Sequence, residues 1–155
     1  TEDVTARVIH GLGPLLEGEA RQKALAFLQK QQNADGSFWG RWLMNHLAGT
    51  SFVLLALGEL KEPWIQRAIQ WVLSCQNPDG SWGETPGSYR DPSLAGKGPG
   101  MPPLTGLVLC GLQAAGQAQH PAIERGIHYL LRNQSTDGGW SDEGWVTPLL
   151  LPDTF

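Results

Sequence analysis

A chain of 155 residues with a formal charge of −4 can bury a core of its own, and its 11 lysines and arginines form no basic stripe, which excludes a nucleic-acid partner. Two cysteines, Cys75 and Cys110, lie in apolar runs without framework spacing and read as reduced, buried thiols of a cytoplasmic protein. The longest apolar run, Phe52 to Leu57, is far too short to span a bilayer, and no signal-peptide pattern opens the chain; peripheral membrane contact stays open.

Asp3 and Arg7 stand at i, i+4 near the start, on one helical face. Ala24, Phe27 and Leu28 predict a one-sided amphipathic helix that ends in the turn Gln32-Asn33-Ala34-Asp35-Gly36-Ser37-Phe38-Trp39. From Ala48 to Leu60 the chain is apolar on nearly every side. Ile65, Ala68, Ile69 and Val72 then predict a second one-sided helix, with Pro63 in its first turn, where no backbone donor is missed. Gln76-Asn77-Pro78-Asp79-Gly80-Ser81-Trp82-Gly83 closes it. A Gly/Pro-rich loop from Gly83 to Pro103 leads into a second all-round apolar run, Leu104 to Ala115. Pro121 starts a third one-sided helix with Ile123, Ile127, Leu130 and Leu131 on its apolar stripe, and Gln134-Ser135-Thr136-Asp137-Gly138-Gly139-Trp140 ends it.

The turns are copies of one device: Gln, Asp-Gly three and four positions later, an aromatic at six, with Phe38 in that place in the first copy and Trp39 following it. A glutamine at a helix end can donate to carbonyls the helix leaves unpaired while lying flat on an indole. The Asp-Gly turn brings the aromatic back over it. The pairs Gln32–Trp39, Gln76–Trp82 and Gln134–Trp140 are therefore expected to be structural clasps, each contributing about 1 kcal/mol. A carbohydrate-binding Asp box has a similar look to Ser135–Trp140, but it joins two strands, and the flanks here are helical. A helix that is apolar all round must be covered all round. The alternation of half-wet and fully buried helices predicts one all-α domain over 1–155, with alternating inner and outer helices in about three hairpins, as in helical toroids and solenoids.

Longer blocks resemble the squalene–hopene cyclases, class II triterpene cyclases with Gln–Trp repeats. Gly40-Arg41-Trp42-Leu43-Met44-Asn45-His46-Leu47-Ala48-Gly49-Thr50 is similar to their Gly-Arg-Trp-x-x-Asn-Tyr-x-Tyr-Gly-Thr block, and Gln76 to Glu84 to their Gln-Asn-Pro-Asp-Gly-Gly-Trp-Gly-Glu. Tyr89 to Gly98 resembles their Tyr-x-Asp-Pro-x-x-Ala-Gly-Lys-Gly loop, and Asp3-Val4-Thr5-Ala6-Arg7-Val8 their Asp-Val-Thr-Gly-x-Val segment. The resemblance implies an α/α toroid, here a partial barrel of about three helical hairpins, and proton-initiated cyclisation of squalene through carbocations, in a two-domain enzyme several times longer, with no metal or organic cofactor. It also implies an acid within an Asp-x-Asp-Asp motif, which this sequence does not contain.

On the matching positions, the resemblance makes Asp3 and Arg7 supports of that acid, against the alternative of a surface ion pair. It makes Trp42 and Phe155 aromatic walls of the cavity, against the alternative of plain core packing. Three departures remove aromatic faces from that wall: Ala48 and Leu151 stand at a Tyr and a Phe position, and Leu107 at a Trp position. His10, His46, His120 and His128 form no ligand set with Cys75 or Cys110, so no zinc is expected. Two functions compete. One is the C-terminal part of a cyclase, inactive unless joined to an acid-bearing N-terminal half and touching the membrane peripherally in its parent. The other is a non-enzymatic module for an apolar polyprenyl ligand or a partner, completing its ring as a homodimer.

Overall fold

The periodic segments become helices. The computed structural model of the chain describes residues 1–141. Along them run α1 (Glu2–Leu12), α2 (Gly18–Gln31), α3 (Asn45–Leu57), α4 (Pro63–Ser74), α5 (Pro102–Ala114) and α6 (Pro121–Arg132). Short 3-10 turns occupy Gly13–Leu15, Pro86–Tyr89 and Pro92–Leu94. No strand occurs among the described residues; Gln134 and Trp140 share an isolated bridge across the third turn.

The helices pair as three hairpins, α1–α2, α3–α4 and α5–α6. α1, α3 and α5 lie side by side with α3 in the middle, and each is backed by the outer helix that follows it. This is the alternating inner and outer arrangement that the apolar patterns predict. Ten of the 13 residues of α3 are buried, because α1, α4 and α5 cover it on three sides. Leu47, Leu54 and Leu57 are fully enclosed there, and each such leucine stabilises the fold by roughly 2 kcal/mol. On α4 the four periodic residues Ile65, Ala68, Ile69 and Val72 are all buried.

α6 departs from its pattern. Ile123 is buried and Leu130 half-buried, but Ile127 and Leu131 are 42% and 60% exposed. Its packed face runs instead through Ala122, Gly126 and Tyr129. The apolar stripe is wider than the contact with α5, and no described element covers the remainder.

The inner helices also start earlier than their apolar runs suggest. α3 begins at Asn45, three residues ahead of Ala48, because its first turn is capped by a side chain from far along the chain. Glu84 Oε2 accepts from the amides of Asn45 (3.1 Å) and Leu47 (2.7 Å), and Oε1 accepts from His46 N (3.2 Å). The carboxylate is 1% exposed. A negative charge placed on the free amides of a helix N-terminus satisfies the orphan donors and complements the helix dipole. The same loop is tied down again by Tyr89, whose hydroxyl donates to Leu43 O at 2.9 Å. The 83–101 segment is thus a strap across the start of α3.

Glu84→Ala removes a charge-assisted cap and leaves buried amides unpaired. It should lower the unfolding free energy by about 2–4 kcal/mol in urea titrations, and Glu84→Gln by about half of that.

Candidate functional site

Two groups of residues have geometry beyond packing: the glutamine turns on the outer side and a polar corner where α1 meets the start of α3.

In each turn, Asp-Gly folds the chain tightly. Asp35 Oδ1 accepts from Ser37 N and Oγ, and Asp79 Oδ1 does the same with Ser81. Burial works to raise the Asp79 carboxyl, but the Ser81 hydroxyl and amide and the nearby Arg132 hold it below the usual carboxylate range. The glycines take φ of 98° at Gly36 and 91° at Gly80. They also sit against helix backbone: a Cβ at Gly36 would lie 2.7 Å from Arg67 O, and one at Gly80 2.4 Å from Arg125 O. Only glycine meets both demands.

The glutamines act across repeats, which differs from the expected role of capping their own helix. Gln32 Nε2 donates to Gly36 O (2.9 Å) and to Trp64 O on α4 (2.7 Å), while its Oε1 accepts from Arg67 Nη2 (2.7 Å). Gln76 repeats this with Gly80 O (2.9 Å), Ala122 O on α6 (2.8 Å) and Arg125 Nε (3.0 Å). Each carboxamide therefore joins its turn to the next outer helix. The indole serves the helix end instead: Trp82 Nε1 donates to Val72 O, and Trp140 Nε1 to Leu130 O, both at 2.8 Å. Phe38, not Trp39, fills the position of Trp82. Both are fully buried, and their amides donate to inner-helix hydroxyls, Phe38 N to Thr50 and Trp82 N to Thr105. Trp39 is half-buried, edge-on to Tyr89 with ring centroids 6.0 Å apart. The Gln134 turn keeps the internal bond, Gln134 Nε2 to Gly138 O at 2.8 Å, and has no described helix beyond it.

The polar corner gathers three of the sequence-selected residues. Asp3 is 1% exposed. Its Oδ2 accepts from Trp42 N at 3.3 Å and lies 3.7 Å from Arg7 Nη2. Its Oδ1 is buried and accepts nothing from the described residues. The Arg7 guanidinium lies over the Phe52 ring, 5.0 Å from its centroid, and the Trp42 side chain is 41% exposed. Val4, Val8 and Leu12 form an uncovered apolar stripe on α1, and Phe52 and Leu55 on α3 and Leu107 on α5 are half-buried. Ala48 is buried and Leu107 adds no ring to the face. Phe155 and Leu151 lie outside the described residues.

A groove of about 620 Å³ opens at the other end of the inner helices, lined by Ile9, His10, Leu16, Arg21, Leu55 and Glu59 among others. None of the sequence-selected residues lines it. Among the described residues no group of His, Cys, Asp and Glu could hold a metal ion. Burial, the largest effect on Cys75, pushes its thiol up to about 12; that side chain is only half-buried, however, and Cys110, expected to be buried as well, is exposed because its position on α5 faces away from the core.

The whole chain, residues 1–155, matches the squalene–hopene cyclase C-terminal domain. It is 43% identical over 162 residues to the squalene–hopene cyclase of Alicyclobacillus acidocaldarius, covering 100% of this chain and 26% of that enzyme. A probable squalene–hopene cyclase of Sinorhizobium fredii is 41% identical over 164 residues, again 100% of this chain and 25% of the relative. Dammaradiene synthase of Dryopteris crassirhizoma is 34% identical over 172 residues, 92% of this chain and 25% of the synthase. The chain thus spans about a quarter of the length of these relatives. A solved structure of a protein from Actinoplanes shares the fold, with a TM-score of 0.63 at 22% identity over 90% of this chain and 38% of that one.

Gln76→Ala deletes two donors and an acceptor and leaves the Ala122 carbonyl and the Arg125 guanidinium without it. It should lower the unfolding free energy by about 2–3 kcal/mol in chemical denaturation, whereas Arg125→Ala, which keeps both donors, should cost about 1 kcal/mol or less.

Proposed function

The chain belongs to the squalene–hopene cyclase family, and from that premise we propose that its inner helices form part of the wall of a site for an apolar polyene of the squalene class, with the initiating acid supplied from outside the described residues. The observation that carries this reading is the Asp3 carboxylate. A buried acceptor with no donor costs about 1–3 kcal/mol, so its place in a fold calls for a partner. Asp3 Oδ2 is held by the Trp42 amide, and Oδ1 is left for a donor from elsewhere. In this reading Asp3 is a positioning residue that orients a neighbouring acid, and Arg7 beside it offsets the added negative charge.

Chemistry of this kind moves the acid's proton to a terminal alkene carbon. The alkene π pair forms the new C–H bond, and the other carbon becomes a tertiary cation. A dry site cannot solvate that cation, so ring faces must stabilise it. Trp42 supplies an indole at this corner, with the Arg41 guanidinium over its ring at 5.9 Å from the centroid, as the Arg7 guanidinium lies over Phe52. Leu107 leaves the wall aliphatic where a ring would serve a long cascade, and Ala48, being buried, adds no face to it. The same features suit a second reading, an apolar-ligand-binding module without turnover. No described helix is long and apolar enough to cross a membrane; the proposal places the protein in the cytoplasm, reaching its ligand by peripheral membrane contact.

Incubation with squalene and with shorter polyprenyl alcohols decides the matter. The chain by itself should bind the polyene, read by tryptophan fluorescence, and release no cyclised product. Trp42→Ala should weaken binding by about tenfold. Cyclised product from this chain without another polypeptide would overturn the assignment of the acid to a region outside it. Absence of polyene binding would overturn the wall.

A further inference from the structure

Trp42 stands on a loop whose path is set by side chains from elsewhere. Residues 40–44 lie between the first clasp and α3 and form neither helix nor strand. Packing fixes one end of the loop. A Cβ at Gly40 would lie 2.5 Å from Asn45 O and 3.0 Å from Gly49 N, so the chain presses on α3 there. The Glu84 cap fixes the other end at Asn45. Between these anchors the backbone arches. Asn45 Oδ1 accepts from Gly40 N and Asp3 Oδ2 from Trp42 N, both at 3.3 Å.

One hydroxyl occupies the centre of the arch. Tyr89 Oη lies 3.2 Å from Gly40 O, 3.3 Å from Arg41 O and 2.9 Å from Leu43 O. These acceptors stand on both sides of Trp42 in the chain. A phenol carries a single donor proton, and here it offsets the mutual repulsion of three converging carbonyl dipoles. Burial, followed by the nearby Glu84 and Asp3 carboxylates, pushes Tyr89 well above the ordinary phenol range, so the proton stays in place at neutral pH. The base of this contact is firm. The Tyr89 ring is edge-on to Trp39. Next to it, Asn45 Nδ2 donates to Ser88 Oγ at 3.3 Å, and Ser88 Oγ donates to Thr85 O at 3.0 Å. The strap and the arch are thus tied to each other through Asn45 as well as through Tyr89.

We propose that Tyr89 is a positioning residue of the polyene wall: its hydroxyl closes the 40–44 arch and thereby sets the direction of the Trp42 indole. The consequence for the ligand rests on Trp42 being part of that wall; the ordering of the arch does not. Without the proton, three carbonyl oxygens converge on the edge of an apolar ring, and the arch opens to hydrate them. Trp42, at its middle, moves with it.

Tyr89→Phe keeps the ring against Trp39 and deletes only the donor, and unchanged helical circular dichroism verifies the fold. In NMR of the isotope-labelled chain, the Trp42 indole N–H resonance is assigned by its loss in Trp42→Ala. In Tyr89→Phe it should shift or broaden, while that of Trp82, which donates to Val72 O, stays in place. Binding of squalene delivered in detergent micelles should weaken about fivefold in Tyr89→Phe. In a Trp42→Ala background the same substitution should add nothing, whereas a residue that only stabilises the fold would act alike in both. An unmoved Trp42 resonance overturns the proposal. So does an effect on affinity that is equal in both backgrounds, zero included. If the wild-type chain binds no squalene, the wall falls, and the indole resonance still decides whether Tyr89 orders the arch.

Discussion

A glutamine carboxamide bridging its own turn to the next outer helix is the interaction on which this architecture depends. The inner helices α3 and α5 are apolar nearly all round and have no stability unless covered on every side. Coverage by outer helices demands that each hairpin keep a fixed register with the next. Side-chain packing between amphipathic helices permits sliding, because apolar contact is not directional. The carboxamide is directional at both ends, with two donors on carbonyls of different repeats and an acceptor under an arginine. Gly36 and Gly80 allow the approach, and the aromatic at the sixth position seals the end of the preceding helix. The clasp converts a set of greasy hairpins into an arc with defined spacing.

That spacing places the polar corner. α1 and α3 are neighbours along the inner row, so the first turn of α1 lies beside the segment that enters α3. Asp3 can therefore hold the Trp42 amide, and Arg7 can reach Phe52. Glu84 fixes the same region from the other side by capping α3. Asp3, Arg7 and Glu84 hold this corner, and one buried oxygen of Asp3 accepts nothing from the described residues. In the proposed reading, that oxygen orients an acid supplied from outside the described residues.

Much of this was legible in the residues. The periodicity of Ile65, Ala68, Ile69 and Val72 identified an outer helix, and the unbroken apolarity after Ala48 an inner one, because burial writes itself into local pattern. The turn type was legible in Asp-Gly, and the membership of the family in the blocks around Trp42, Gln76 and Tyr89. What stayed hidden depended on partners distant along the chain. The start of α3 is set by Glu84, whose bonds span 37 to 39 residues. The second acceptor of Gln76 is 46 residues away. The exposure of Ile127 and Leu131 was also invisible, since an apolar stripe reports what could be covered and not what is.

The central claim is that these carboxamides are locked between repeats. Hydrogen exchange of the glutamine side-chain amides, followed by NMR, tests it most directly. The account predicts that the Nε2 protons of Gln32 and Gln76 exchange far more slowly than a free carboxamide and are detected across the clasp from the α4 and α6 first turns. Exchange of both at the rate of a solvent-exposed glutamine would contradict it.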